Sequence, residues 1–255
     1  MIINKLKSKA RRSVLQFKYS LGIKTTLFKL SDGSLFLLKN NDDICSEIYD
    51  GEKFERKLVQ KFSALIKDAS VVIDIGSNLG YFTIIAASKI RNHSGKVYSV
   101  EVNSDLISHQ RKQIELNKLD NVTLINCAVS DSEGILPFYV APEKFYGHSS
   151  LKKNSTFNPE KVIEVNCTTL DELVKKYSIQ KVDVIKIDVE GAEFNVLKGA
   201  INTIRDSRPT IFFESADHLS EGFNYTTTDL LCFLKTYNYH IVQIDYGMWL
   251  ATPIS

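Results

Sequence analysis

The sequence is poor in the features that build zinc sites, disulfide frameworks and membrane spans. Its four cysteines stand far apart and form no Cys-x-x-Cys pair, which argues against a zinc site or disulfides and favours a reducing compartment. No apolar run approaches the ~18 residues of a membrane-spanning helix. The N-terminus also lacks the apolar core and cleavage site of a secretory signal. These absences predict a soluble, cytoplasmic protein.

Glycine and proline are scarce as well, at 12 and 5 of 255 residues, while 44% of the residues are hydrophobic and 24% are charged. This composition excludes collagen-like repeats and long disordered tracts. At this length, one α/β domain with a small appendage is expected rather than two full domains.

The net charge is only +2, but the charges are distributed unevenly. Eight lysines and arginines precede the first acidic residue, Asp32, and removal of those eight charges from the total leaves −6 for the rest. A mildly acidic body argues against a surface that binds nucleic acid. The sequence therefore predicts no nucleic-acid partner.

Residues 1–50 are predicted to form a basic amphipathic helix followed by a β-hairpin. Apolar residues recur at spacings of three and four from Ile3 to Leu21, with basic residues between them. Asp32 and Gly33 are typical of a hairpin turn. Three interpretations of the helix stay open: a peripheral anchor at the inner membrane surface, a contact in a homodimer, or an arm packed on its own domain.

Residues 51–255 are predicted to form one Rossmann-like domain. A helix is expected over Glu52–Ile66, and short apolar runs then alternate with amphipathic stretches, which is typical of a mostly parallel, doubly wound sheet with helices on both faces. The predicted core strands are Val71–Ile75, Val97–Val102, Val122–Cys127, Val182–Ile187, Thr210–Phe213 and Tyr239–Ile244.

Two departures from this alternation are expected. The stretch from about 131 to 180 is predicted to be an insertion with two extra strands, Ile135–Val140 and Val162–Cys167. At the end of the chain, Tyr239–Ile244 and Met248–Ala251 are predicted to form an edge hairpin. The hairpin would give the sheet an antiparallel edge strand.

The strongest local motif is a glycine loop that follows the first core strand. The strand ends near Asp74, the chain turns through Gly76 and Gly80, and a helix begins near Tyr81. With Asn78 in the middle, the spacing is Gly-x-Asn-x-Gly, which differs from the Gly-x-Gly-x-x-Gly loop that holds a dinucleotide pyrophosphate. The acidic residue before the loop favours a polar, cationic ligand over a diphosphate.

Glu101 closes the second core strand. A carboxylate at this place can accept hydrogen bonds from both hydroxyls of a ribose. Because the glycine loop and this acid occur in the order that nucleoside binding requires, Glu101 is predicted to bind the ribose of a cofactor.

With several downstream segments, these residues make the chain similar to the FkbM-type, S-adenosylmethionine-dependent methyltransferases. The resemblance extends from about Glu52 to Ser215. Its matching segments are Asp74–Phe82, Tyr98–Glu101, Ala128–Asp131 with Gly134, Ser149–Leu151, Thr169–Asp171, Lys186–Glu193 and Val196–Ala200. Val102 and Ser104 depart from the family, which commonly has proline at both places, but neither departure removes a chemical group.

The resemblance implies a Rossmann-like class I methyltransferase fold, S-adenosylmethionine as cofactor, and methyl transfer to a hydroxyl of a small molecule, sugar or glycan. The residues assigned to the cofactor are Asp74, Gly76, Asn78, Gly80, Tyr81, Phe82, Glu101 and Asp131. Asp131 is the candidate for the exocyclic amine of adenine, although Asp131–Gly134 could equally form a plain turn.

An aliphatic hydroxyl is a poor nucleophile at neutral pH and needs a base or a metal ion. Asp188 ends the fourth core strand, Glu190 follows it, and Glu214 ends the fifth, so these carboxylates are expected to converge at the ligand-binding edge of the sheet. They either bind and deprotonate the acceptor or hold a divalent cation through oxygen ligands. His218 and His148 are alternative bases.

Three other functions stay open at this stage. N-methyl transfer to a small metabolite uses the same cofactor, and a non-catalytic module could keep the cofactor pocket. An NAD(P)-dependent oxidoreductase is suggested by Tyr177 and Lys181, which match a Tyr-x-x-x-Lys pair. Because these two residues precede the fourth core strand, they are expected at the edge of the sheet opposite the ligand.

Overall fold

A computed structural model describes residues 2–153 and 158–254, with side chains from residue 11 onward except at Glu221. The helices are α1 (Ile2–Ser20), α2 (Asp43–Tyr49), α3 (Arg56–Leu65), α4 (Tyr81–Ile90), α5 (Ser104–Asn117), α6 (Leu170–Lys176), α7 (Glu193–Lys198), α8 (Ile201–Ser207), α9 (Asp217–Ser220) and α10 (Thr227–Thr236). The strands are β1 (Thr25–Lys29), β2 (Leu35–Lys39), β3 (Val71–Ile75), β4 (Lys96–Val100), β5 (Val122–Ile125), β6 (Ala128–Val129), β7 (Gly134–Val140), β8 (Lys161–Thr168), β9 (Val184–Ile187), β10 (Thr210–Glu214), β11 (Tyr239–Asp245) and β12 (Met248–Pro253).

The centre of the fold is a seven-stranded sheet in the order β11-β12-β10-β9-β3-β4-β5. From β10 to β5 the neighbours are parallel, whereas β12 is antiparallel to both β10 and β11. The predicted mostly parallel, doubly wound sheet is confirmed, and the C-terminal hairpin is present. Its antiparallel strand lies between β11 and β10, one place inside the outer edge. The chain order reverses between β3 and β9, and ligands bind at this kind of switch point.

The stretch predicted to be an insertion supplies β7 and β8 of a second, three-stranded sheet in the order β6-β8-β7, and β6 directly precedes this stretch. The two strands expected there are present as β7 and β8, which pair antiparallel. A 3-10 segment, Glu143–His148, follows β7. The Ser150 hydroxyl donates a hydrogen bond of 2.7 Å to the carbonyl of Glu190, which ties this region to the loop after β9.

The N-terminal region packs on the rest of the chain. In the β1–β2 hairpin, Phe36 is fully buried and its ring meets that of Tyr81 in α4 at 5.5 Å between centroids. Leu15 of α1 is also fully buried, and Arg12 pairs with Glu47 of α2 at 3.6 Å. Among the described helices, each is too short or too polar to cross a bilayer.

Two details of this region differ from the expected pattern. Helix α2 begins after Asp42, whose carboxylate accepts a hydrogen bond from the Cys45 N–H at 2.8 Å. With only seven residues, it is too short to show a helical periodicity in the sequence. The face of α1 that packs inward contains Leu15, whereas Phe17 and Leu21 of the predicted apolar stripe are 64% and 63% exposed.

Candidate active site

The glycine loop lies between the carboxyl ends of β9 and β4. Gly76 has φ 74°, and a Cβ added there would lie 1.7 Å from the backbone oxygen of Asp188, so only glycine fits this close approach. The Gly76 N–H donates to the Val100 carbonyl at 2.9 Å, and the Asp188 N–H donates to the Ile75 carbonyl at 3.0 Å. The loop therefore holds the ends of three strands together.

Glu101 lies at the base of this loop, directly after β4. Its carboxylate oxygens accept hydrogen bonds of 2.8 Å from the N–H groups of Asn78 and Asn103. Burial raises the pKa of Glu101 to about 7, although these two bonds act in the opposite direction. Each oxygen keeps a second lone pair, so the carboxylate is fixed in place and can still accept two hydrogen bonds from a ligand.

A cavity of about 320 Å³ opens at this edge of the sheet. It lies between the glycine loop, α2 and the 3-10 segment. Eight of the predicted site residues line it: Gly76, Asn78, Tyr81, Phe82, Glu101, Asp188, Glu190 and Glu214. The structure therefore brings the predicted ribose-binding acid and the predicted catalytic acids into one cavity.

Three residues predicted to contact the cofactor do not line this cavity. The carboxylate of Asp74 is buried on the α4 side, where it accepts a hydrogen bond of 2.6 Å from the Thr83 hydroxyl. Gly80 begins α4 in a left-handed conformation with φ 81°. Asp131 pairs with Lys198 at 3.1 Å. Asp74 and Gly80 thus shape the loop from behind, and Asp131 lies beside Lys198 at the end of α7.

The catalytic acids predicted from the strand ends line the same cavity and lie close together. Asp188, Glu190 and Glu214 each place one carboxylate oxygen within 4.8 Å of the others. Burial raises the pKa of Glu214 to about 10, and the charges of Asp188 and Glu190 add to this effect. Glu214 therefore keeps its proton at neutral pH in the free protein.

Lys186 and Glu55 also line the cavity, and sequence reasoning did not single them out. The Lys186 ammonium donates a hydrogen bond of 2.8 Å to Asp188 and lies 4.6 Å from the centroid of the Phe82 ring. Its position inside an otherwise apolar strand is a usable signal, because a buried lysine needs an anionic partner. Glu55 directly precedes α3 in a left-handed backbone conformation, with φ 43°. Nothing in the sequence around Glu55 indicates that it lines a cavity.

The two candidate histidines differ in their placement. His148 lines the cavity, and its Nδ1 lies 3.7 Å from Oε1 of Glu190. The interaction with Glu190 raises the pKa of His148. His218 is exposed in α9 and does not line the cavity. Glu193 is fully buried and accepts a hydrogen bond from the Val189 N–H at 2.9 Å, so it shapes the loop after β9.

The family model described as the methyltransferase FkbM domain matches residues 74–241, which contain the loop, Glu101 and the three clustered acids Asp188, Glu190 and Glu214. The chain belongs to the FkbM methyltransferase family. The family resemblance predicted from the motifs is therefore confirmed. Within this FkbM chain, Glu55 precedes the matched region, so the matched region by itself does not supply every side chain that lines the cavity.

Known proteins resemble this FkbM chain over part of their length. The hexuronic acid methyltransferase AglP of Haloferax volcanii is 27% identical over 151 residues, which are 59% of this chain and 58% of that protein. Methyltransferase sdnD of Sordaria araneosa is 26% identical over 158 residues, 50% of this chain and 59% of that protein. The chain thus spans less than two thirds of these curated relatives.

A solved structure supports the fold. A Clostridium thermocellum protein described as an rRNA methylase superposes with a TM-score of 0.50 and 13% identity, over 79% of this chain and 96% of that one. With the strand order above, this confirms the predicted Rossmann-like class I methyltransferase fold.

Proposed function

We propose that the protein transfers a methyl group from S-adenosylmethionine to a hydroxyl group of a sugar or glycan. The observation that carries this proposal is the placement of Glu101 and Asp188 in the lining of one cavity. One carboxylate suits a ribose, and the other suits a hydroxyl that must lose its proton. The resemblance to a hexuronic acid methyltransferase supports a sugar acceptor.

The cavity has the groups that this cofactor needs. Glu101 accepts hydrogen bonds from the ribose hydroxyls, and the glycine loop admits the ligand close to the backbone. The side-chain oxygen of Asn78 is buried and has no hydrogen-bond partner among the described residues, so it can accept a hydrogen bond from the cofactor. The carboxyl groups of Asp188 and Glu190, which also line the cavity, favour the positive charge of a sulfonium.

The reaction needs the acceptor oxygen held in line with the methyl group. Asp188 accepts the hydrogen bond of the acceptor hydroxyl and takes its proton, while the bond of 2.8 Å from Lys186 holds the carboxylate in place. Glu214, which keeps its proton, donates a hydrogen bond to a neighbouring acceptor oxygen. A carboxylate held by a lysine and a neighbouring carboxyl group that keeps its proton can in this way fill opposite roles.

Glu190 and the histidines have smaller parts in this proposal. Glu190, in contact with His148, helps to position the acceptor. His218 is given no role, because it is exposed and lies outside the cavity. Tyr177 and Lys181, the residues that suggested an oxidoreductase, do not line the cavity. Lys181 pairs instead with Asp183 at 3.4 Å, just before β9.

Calorimetric titration tests the cofactor directly. The purified protein is expected to bind S-adenosylmethionine and S-adenosylhomocysteine and not NADH. Transfer of a labelled methyl group should then be screened on neutral sugars, uronic acids and amines. Binding of NADH alone would overturn the proposal. Methyl transfer only to amines would show that the acceptor atom is nitrogen and not the proposed hydroxyl oxygen.

We also propose that α1 docks the protein on an anionic membrane surface, where a lipid-linked acceptor would be reached. Val14 and Phe17 of α1 and Leu21, directly after the helix, are 41%, 64% and 63% exposed, whereas Leu15 is buried. The cations before Asp32 supply charge complementarity to acidic lipid. An apolar stripe flanked by cations fits a bilayer surface better than a second, equally cationic copy.

Substitution of Phe17 and Leu21 by serine is expected to reduce binding to phosphatidylglycerol vesicles at least about 100-fold, because each buried apolar side chain contributes about 1.5–3 kcal/mol. Co-sedimentation measures this, with neutral phosphatidylcholine vesicles as the reference. The matched control is Ile135→Ser, which removes an exposed apolar side chain of β7. Equal sedimentation of both variants, or a wild-type dimer that the double variant abolishes, would argue against the membrane.

A further inference from the structure

Glu55 lines the cavity with a carboxyl group that caps no helix. It occupies the position directly before α3, where a side-chain oxygen ordinarily accepts a hydrogen bond from the helix N–H groups, but its side chain makes no such bond to α3. Its Oε2 atom is buried without a hydrogen-bond partner among the described residues. Because a buried carboxyl oxygen without a partner is costly, these observations point to a ligand at Glu55.

The packing of the preceding residue holds Glu55 near the glycine loop. The ring of Phe54 meets that of Tyr81 at 6.0 Å between centroids, and Tyr81 is the first residue of α4 after the loop. Phe54 and Tyr81 also line the cavity. Glu55 is not one of the three clustered acids, whose oxygens lie within 4.8 Å of one another. Since those acids are assigned to the acceptor, Glu55 is available to the cofactor.

The surroundings of Glu55 favour its neutral form in the free protein. Burial raises its pKa to about 8, and the charges of Asp188, Asp74 and Glu190 add to this effect. Lys186 acts in the opposite direction, but its ammonium donates its hydrogen bond of 2.8 Å to Asp188. A ligand that brings both a positive charge and N–H donors would stabilise the ionised form of Glu55 and supply the missing hydrogen bond.

The chemistry of the cofactor offers one such group, the α-ammonium of its methionine part. The ribose hydroxyls are assigned to Glu101, and the sulfonium has a positive charge but no N–H group. An ammonium has three N–H donors as well as its charge, so it satisfies both requirements of Glu55. A hydroxyl group of a neutral acceptor would supply a donor without the charge.

We propose that Glu55 binds the α-ammonium group of S-adenosylmethionine. This inference rests on the proposed function, because it places the same cofactor in the same cavity. When the ammonium binds, Glu55 releases its proton to solvent and the carboxylate pairs with the ammonium. The cofactor site then includes the segment before α3, which precedes the family-matched residues 74–241.

Calorimetric titration of the full chain with three adenosine ligands tests this assignment without any turnover. The ligands are S-adenosylhomocysteine, its deaminated analogue, which lacks only the amino group, and methylthioadenosine, which lacks the whole amino acid part. Glu55→Gln should weaken S-adenosylhomocysteine binding at least about tenfold, because a hydrogen bond between two charged groups is lost. Its affinity for the other two ligands should stay within about threefold of wild type, since neither contains the ammonium.

The matched control is Glu47→Gln, which removes the charge of another glutamate that lines the cavity. The Glu47 carboxylate is partly exposed and pairs with Arg12 at 3.6 Å, so its loss should change none of the three affinities more than about threefold. Binding of methylthioadenosine in the same samples verifies that each variant is folded.

Proton release gives a second readout that needs no substitution. Because Glu55 is mostly protonated at pH 7 and ionises when the ammonium binds, S-adenosylhomocysteine should release about one more proton than its deaminated analogue. Any ionisation of Glu101 at the ribose contributes equally to both ligands. Titrations in phosphate and Tris buffers, whose ionisation enthalpies differ, measure the number of protons.

The outcomes separate this inference from the proposed function. Equal proton release with both ligands overturns the ammonium assignment. So does Glu55→Gln if it leaves S-adenosylhomocysteine binding unchanged, or if it weakens S-adenosylhomocysteine and the deaminated analogue equally. A wild-type protein that binds none of the three ligands overturns the cofactor of the proposed function instead.

Discussion

Replacement of Glu101 by alanine is expected to weaken S-adenosylhomocysteine binding at least about 100-fold. The wild-type carboxylate is fixed by two backbone N–H groups and has one lone pair per oxygen left for the ribose hydroxyls. Hydrogen bonds to a charged group contribute about 1.5–3 kcal/mol each, so the loss of two amounts to about 3 kcal/mol or more. Titration calorimetry measures the change. Glu101→Gln, which keeps one acceptor oxygen, should lie between the two.

The pH dependence of binding distinguishes this role from a structural one. Since burial raises the pKa of Glu101 to about 7, the group is mostly protonated at pH 6 and mostly ionised at pH 8. The ionised form accepts both hydrogen bonds, so wild-type affinity should rise about tenfold over that range, and Glu101→Ala should lose this dependence. The control Glu115→Ala, an exposed carboxyl group of α5, should behave as wild type. Unaltered affinity in a folded Glu101→Ala protein would refute the ribose assignment.

Asp188→Asn is expected to reduce turnover about 10³-fold while the affinity for S-adenosylhomocysteine changes less than about threefold. A positioned base contributes roughly 10²–10⁴-fold to rate, and the amide cannot take the hydroxyl proton. The backbone of Asp188 still donates to Ile75, and the substitution keeps the side-chain shape, so the glycine loop should remain in place. Single-turnover methyl transfer and calorimetry separate the two effects.

Two further measurements bear on the same assignment. Asp206→Asn, at an exposed carboxylate paired with Arg205, should retain full turnover. Raised pH should not restore the activity of Asp188→Asn if the carboxylate is the base, since asparagine does not titrate. Turnover at the wild-type level in Asp188→Asn would remove this residue from the mechanism.

Several site residues were predictable because their signals are local. The glycine loop follows a strand of four apolar residues and one acid, and Glu101 closes the next strand, so their shared sheet edge follows from the strand–helix alternation alone. Asp188 and Glu214 were found by the same rule, at the ends of β9 and β10. The carboxyl ends of parallel strands meet at one edge whatever the remaining chain does.

For Asp74 and Asp131, the position at a strand end does not predict the direction of the side chain. Strand β3 is covered on both faces, so its sequence has no polar alternation to indicate which way Asp74 points. Its carboxylate accepts a hydrogen bond from the Thr83 hydroxyl and does not line the cavity. Asp131 follows a strand end as expected, but its carboxylate pairs with Lys198, which is distant in sequence, and does not line the cavity.

By itself, the sequence determined the order of helices and strands, the mostly parallel sheet, the loop and the family, because periodicity and motif spacing are properties of short segments. The tertiary structure decided which side chains line the cavity. Glu55 reaches it from a turn before α3, Lys186 reaches it from inside an apolar strand, and the stripe of α1 faces outward because Leu15 docks the helix. These placements depend on how segments distant in sequence pack together, and local sequence patterns do not predict such packing.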